Sequence, residues 1–250
     1  MSGAIFATFG PAGGVGKTTV AINLAAALAR ELNACVALAD LDFRFADVAA
    51  WLGVPAERSL VGLAKAGQPL VPREIEDYLY GHASGIAILP GCANLAQVRE
   101  LQLERVKEVF GALQEAFDYV ILDCEGRLNA FTSWALEMAT RVVMVQATDL
   151  RTLIDAELVL DVLRVCKVPE ERIKLVLNSP TPASVIEAKT AEDKLGVEVV
   201  CSIPYSLEIR ASMNNKTPFL TSHPQCDAAK AIRLLAGNLV GGDGEKRRDW

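Results

Sequence analysis

The 250 residues carry a net charge of −6, and the hydrophobic share of 51% comes with only 6% aromatics, so Ala, Val, Leu and Ile supply the apolar volume. That balance suits a parallel sheet covered by helices and argues against a mainly electrostatic grip on nucleic acid. No run approaches the roughly 18 apolar residues that span a bilayer, and no basic segment with an apolar signal core follows Met1, so a cytoplasmic protein is expected.

The elements follow in chain order. Ala4 to Phe9 reads as a buried strand and Val20 to Leu28 as a helix, with Gly10-Pro11-Ala12-Gly13-Gly14-Val15-Gly16-Lys17-Thr18-Thr19 between them. This is where a phosphate-binding loop belongs. Gly13, Gly14 and Gly16 let the backbone aim successive N–H groups at one anion, and the following helix adds its positive end. Lys17 is suited to reach the β- and γ-phosphates of a nucleotide, and the Thr18 hydroxyl to ligate Mg²⁺. A second strand, Cys35 to Ala39, runs into Asp40-Leu41-Asp42. Two acids one residue apart at a strand end point to the same side, toward the crevice where doubly wound folds bind ligands.

Ser59 to Ala66 and Pro72 to Tyr80 read as short helices, Gly85 to Gly91 as a strand and turn, and Glu104 to Phe117 as a helix by the spacing of Val106, Val109, Phe110, Leu113 and Phe117. Asp118-Tyr119-Val120-Ile121-Leu122-Asp123 gives an apolar strand ending in a carboxylate that is placed to hold Mg²⁺-bound water or to accept from Thr18. Leu128 to Met138 reads as helix, Arg141 to Gln146 as strand, and Thr148-Asp149 as the cap of a helix from Leu150 through Cys166. Ile173 to Asn178 is a strand, Val185 to Leu195 a helix, Val197 to Ile203 a strand closed by Pro204-Tyr205-Ser206, and Asp227 to Leu239 an amphipathic helix. One α/β domain is therefore expected over residues 1–240, a doubly wound, mostly parallel sheet with helices on both faces, with a disordered tail over 241–250. The six cysteines form no C-x-x-C pair and read as reduced thiols; Cys35, Cys124 and Cys201 lie in strand-like surroundings. His82 and His223 read as surface residues.

The doubled glycine followed by V-G-K-T-T resembles the deviant phosphate loop of the MinD/ParA family of ATPases, normally K-G-G-x-G-K-[ST]. In that family an extra lysine opens the loop and reaches across a nucleotide-sandwiched dimer; here that position is Ala12. The resemblance implies ATP and Mg²⁺ as ligands held by the loop from Gly13 through Val15 to Thr19. It makes Asp42 the residue that orients the attacking water, and places Asp40, Asp42, Thr18 and Asp123 around the metal. Asn178 is implied to read adenine, and Pro204 and Tyr205 to lie beside it. Asp40-Leu41-Asp42-Phe43-Arg44-Phe45-Ala46-Asp47-Val48-Ala49 and Trp51-Leu52-Gly53 look like the corresponding segment of the CpaE/TadZ branch, which helps place Tad pili at the cell pole. Asn214 to Pro218 resembles the family's "n-x-G-x-P" turn, with Lys216 where glycine is common, and Glu125-Gly126 stands where family members carry a proline.

The implied function is a slowly hydrolysing ATPase that dimerises around ATP and meets protein partners of a pilus or polar-localisation system. Arg44 or Arg127 could supply the charge missing at Ala12. A DNA-partitioning ATPase and a nucleotide-bound but inactive scaffold stand as the alternatives. Relatives of the CpaE type often carry a receiver-like domain before the ATPase. The glycine-rich end of this chain does not resemble MinD's C-terminal membrane-binding helix.

Overall fold

The computed structural model describes residues 2–10, 12–66, 70, 72–92, 95–165, 167–182 and 186–241. Eight strands, β1 (Ala4–Phe9), β2 (Val36–Leu41), β3 (Tyr80–Gly81), β4 (Ile86–Leu89), β5 (Tyr119–Cys124), β6 (Arg141–Ala147), β7 (Ile173–Asn178) and β8 (Val199–Ile203), form one sheet in the order β3-β4-β2-β5-β1-β6-β7-β8. All pairings are parallel except β3 with β4. The first half of the chain supplies helices α1 (Lys17–Glu31), α2 (Asp47–Leu52), α3 (Leu60–Lys65), α4 (Pro72–Tyr78), α5 (Leu95–Val98) and α6 (Leu103–Ala116). The second supplies α7 (Ala130–Met138), α8 (Leu150–Val165), α9 (Ala188–Leu195), α10 (Leu207–Asn214), α11 (Phe219–Ser222) and α12 (Asp227–Val240).

Strand alternation divides the core into two layers. Along β1, Ile5, Ala7 and Phe9 enter one cluster with α3, α6, α7, α8 and α9, while Phe6 enters the other with α1 and α12. A sheet with both faces covered needs strands apolar on both faces, and β1, β2, β5 and β6 are buried almost throughout. Helix α1 buries an alanine-rich face, including Ala21, Ala25 and Ala26, whose small side chains let it lie close to its neighbours. Helix α6 buries Val106, Val109, Phe110 and Leu113, each contributing about 1.5–3 kcal/mol. It stops where Phe117 turns extended and Asp118 Oδ2 accepts from the Cys35 backbone N–H.

The doubly wound fold is the one expected from the alternating strand and helix pattern. The differences are local. Helix α4 ends at Tyr78, because Tyr80 and Gly81 turn back as an antiparallel edge strand against Ile88 and Ala87. Cys35 precedes β2 and is exposed, whereas Cys92, Cys124 and Cys201 are buried. Asp149 Oδ1 accepts from the Thr152 N–H and so caps α8, as its spacing predicts. That helix buries Leu153, Leu160 and Leu163 but leaves Val165 exposed. Helix α9 begins at Ala188, and the expected start at Val185, the Cys166 end of α8 and the tail beyond Gly241 lie outside the described residues. Among the described residues, no helix is long and apolar enough to cross a membrane.

Candidate functional site

The loop after β1 leads directly into α1, whose N-cap, Gly16, has no side chain to accept from the first-turn N–H groups. Those donors therefore remain available to an anion at the positive end of the helix. Gly14 and Gly16 have φ of 79° and 99°, the left-handed region in which glycine is unstrained. Asn178 at the end of β7 donates from Nδ2 to the Val15 carbonyl at 2.8 Å, tying the loop to the sheet. A methyl at Gly16 would stand 2.3 Å from that same Nδ2. Gly16→Ala should therefore weaken Mg·ATP binding about 10-fold or more, since left-handed backbone at a non-glycine residue costs about 1–2 kcal/mol before the displacement of Asn178 is counted. Titration calorimetry measures the change, and unaltered affinity would contradict this view of the loop.

Lys17 Nζ donates to the Ala12 carbonyl at 3.1 Å, so its ammonium lies over the loop. Thr18 Oγ1 donates to Asp123 Oδ2 at 2.7 Å, and Thr8 Oγ1 donates to the Leu122 carbonyl at 3.0 Å while reaching Asp123 Oδ1 at 3.4 Å. Asp123 is 2% exposed, and burial pushes its carboxyl up from the usual 3.8 to about 6; the Thr18 hydrogen bond and the Lys17 charge oppose that rise, and Asp42 adds to it. Asp40, paired in register with Asp123, is raised well above the carboxylate range by burial and then by the Asp123 charge.

The expectation that Asp40 and Asp42 both face the crevice needs correction. The chain turns after Leu41, and the Asp40 carboxylate accepts backbone N–H groups from Asp42 (2.9 Å) and Val48 (3.2 Å). Asp40 thus shapes the β2–α2 loop. Asp42 does line the groove, and its Oδ1 accepts from the Arg44 and Phe45 N–H groups. Ala46 takes φ 50° just before α2.

A groove of about 950 Å³ brings these parts together. The loop wall contributes Gly13, Gly14, Gly16, Lys17, Thr18 and Thr19, and the acid wall Asp42, Arg44, Glu125, Gly126 and Arg127. The far wall holds Asn178 to Pro180, Tyr205, Ser206, Ile209, Arg210 and Met213. Val15, Asp40, Asp123 and Pro204 do not line it. Sequence reading missed the helix α10 wall and the inward placement of Trp51. The Asn178 amide is engaged with the loop through Nδ2, so its donor serves the loop's shape.

The residues present suit a nucleotide with Mg²⁺. A methyl placed on Gly13 or Gly14 would meet nothing within 4 Å beyond the adjoining residues, and both glycines line the groove. The Thr18 hydroxyl, with the Asp123 carboxylate behind it, is a donor set that would suit Mg²⁺ together with phosphate oxygens and water.

The buried acids make stability depend on pH. Between 3.8 and about 6 the folded chain holds a proton on Asp123 that the unfolded chain has released. This group's contribution therefore rises as pH falls through about 6, by on the order of 3 kcal/mol at most, and Asp40 acts in the same direction. Denaturant titrations in a chelating buffer should find a smaller stability gain, or a larger loss, from pH 7.5 to 5.5 in Asp123→Asn than in the parent chain. Identical pH profiles would contradict the assignment.

A family model described as an AAA domain matches residues 4–171. The chain belongs to that family. Among the proteins it resembles are MinD- and ParA-type ATPases. It is 26% identical over 230 residues to an uncharacterised ATP-binding protein of Methanocaldococcus jannaschii, covering 92% of this chain and 84% of the relative. It superposes on the septum site-determining protein MinD of Pyrococcus horikoshii, solved with Mg-ADP, with a TM-score of 0.81 and 26% identity over 95% of this chain and 96% of the other. A ParA family ATPase from Chlorobium tepidum shares the fold, with a TM-score of 0.86 at 22% identity over 93% and 98% of the two chains.

Proposed function

We propose that this AAA-domain chain binds ATP with Mg²⁺ in the groove, dimerises around the nucleotide and hydrolyses it slowly, acting as a spatial cue for assembly of Tad-type pili. The observation that carries the nucleotide reading is the uncapped, glycine-built start of α1 beside Lys17 and the Thr18–Asp123 pair. The solved MinD relative was complexed with Mg-ADP, which supports the same ligand class here.

Each part of the chain then has a task. The loop amides and Lys17 receive the phosphate oxygens, as P-loop amides and lysines do. Thr18, backed by Asp123, holds the metal, with Asp40 keeping the neighbouring loop in shape. Bound Mg²⁺ would neutralise charge on the β- and γ-phosphate oxygens. Asp42 orients the attacking water, and Tyr205 and Asn178 flank the base.

The groove's surroundings support dimerisation at this face. Phe45 (67% exposed) and Met213 (41%) line it, and Leu128 (38%) and Leu207 (67%) adjoin its lining residues Arg127 and Ser206. Apolar side chains at the rim of a nucleotide groove are suited to cover by another copy. The pilus assignment rests on the resemblance of the segment from Asp40 to Gly53 to the CpaE/TadZ branch. The likeness to the septum site-determining protein MinD of Synechocystis, 27% identical over 240 residues, supports a localisation role in general.

Light scattering after gel filtration tests the dimer. A shift from monomer to dimer with a non-hydrolysable ATP analogue, absent with ADP and absent in Phe45→Asp, is expected. Identical mass with both nucleotides would count against it.

A further inference from the structure

The loop that follows β5 carries a carboxylate with no place in the functional assignment above. Strand β5 ends at Cys124, and Glu125 is the first residue of the loop beyond it. Its side chain is 8% exposed and lines the groove. Asn129 Nδ2 donates to Glu125 Oε1 and fixes it there. Asn129 is itself held, because its Oδ1 caps α7 by accepting from the Thr132 N–H at 2.9 Å. The next residue, Gly126, lies against the phosphate loop: a methyl there would stand 3.1 Å from the Gly10 carbonyl oxygen and 3.3 Å from Lys17 Nζ. Glu125 is therefore carried to the phosphate end of the groove, on the same acid wall as Asp42, with the charges of Arg44 and Arg127 near it.

A buried carboxylate facing a second carboxylate in a groove that is to receive a polyanion costs energy. One amide donor and two exposed arginines offset that only partly. A free carboxylate oxygen there is suited to accept a hydrogen bond from water.

We propose that Glu125 is a catalytic residue for the hydrolysis assigned above, accepting a hydrogen bond from the water that attacks the γ-phosphate while Asp42 holds the same water from the other side. The inference rests on that ATPase reading. The water oxygen forms a bond to Pγ as the bond from Pγ to the β,γ-bridging oxygen breaks. The electron pair of the broken bond leaves on ADP, and the water's proton passes through the carboxylate to solvent or to the released phosphate.

Steady-state turnover of the full chain with Mg·ATP, together with binding of a non-hydrolysable ATP analogue and of ADP, tests this. In Glu125→Gln the amide oxygen keeps the bond from Asn129 and turns an NH₂ donor toward the water. The expected result is a kcat lowered about 10-fold or more, at the low end of what positioned proton-transfer groups supply. Affinity for the analogue and the melting temperature should be at or above parent values, because a charge that repels the polyanion and Asp42 is removed. Asn129→Asp keeps an α7 cap but replaces the amide donor by a repelling charge, and it should lower kcat by more than it lowers analogue affinity. Glu125→Gln turning over at the parent rate would overturn the inference alone. So would a fall in kcat matched by equal losses of analogue and ADP affinity, the mark of a structural role. A parent chain that neither binds nor hydrolyses ATP would overturn the ATPase reading and this inference together.

Discussion

Replacing Lys17 by alanine is expected to weaken Mg·ATP binding about 100-fold or more while leaving the fold intact. The ammonium is the one cation that projects from the loop itself, and it already lies over the loop with Nζ 3.1 Å from the Ala12 carbonyl. Hydrogen bonds to charged groups contribute about 1.5–3 kcal/mol each, and a lysine bridging two phosphate groups makes at least two. Lys17 begins α1 and is half-buried, and alanine is the best helix former, so its removal leaves no cavity in the core and no lost cap. A nucleotide titration with circular dichroism as the fold control separates the effects. Unchanged affinity in a folded variant would remove the loop from the account.

Restoring a lysine at position 12 should have the larger effect on rate. The resemblance implies that this position serves the partner subunit's phosphates, and the Ala12 side chain offers no charge there. A cation delivered to the transition state of phosphoryl transfer is worth about 10³ to 10⁵ in rate in related systems. Ala12→Lys is expected to raise kcat by about 100-fold or more, with little change in monomer affinity, and to do so only at concentrations where the ATP-bound chain dimerises. Phosphate release followed against protein concentration measures both features. A parent rate equal to that of the variant would show that another group supplies the charge. Loss of turnover in Arg44→Ala or Arg127→Ala would then identify it, since both guanidiniums line the acid wall.

The fold was legible because its signals are long-range in the chain yet locally simple. Apolar runs at β1, β2, β5 and β6 alternate with helical spacing, and the glycines between β1 and α1 mark the ligand edge of the sheet. The acids were only half legible. Alternation places Asp40 and Asp42 on one side, but it assumes an extended chain, and the turn after Leu41 draws the Asp40 oxygens onto the Asp42 and Val48 amides. Glu125 lies just past the end of β5, where alternation no longer applies, and only the groove lining and the Asn129 contact place it.

Other features left weaker traces. The groove's far wall is α10, a short helix of mixed polarity whose Leu207 and Met213 remain exposed, so no apolar stripe announces it. Lys216, where the resemblance implies a glycine, has a φ of 51°, the left-handed region that glycine favours. The turn is thus preserved by its surroundings, including the contact of the Lys216 side chain with Gly53 and of its carbonyl with His82 Nε2.

The central claim is that a triphosphate occupies the space in front of Gly13, Gly14 and Lys17. Calorimetric titration of the chain with a non-hydrolysable ATP analogue and Mg²⁺ tests it most directly. The account predicts saturation at one nucleotide per chain, weakened when Mg²⁺ is chelated and nearly abolished in Lys17→Ala. An absence of saturable heat, or binding indifferent to both Mg²⁺ and Lys17, would contradict it.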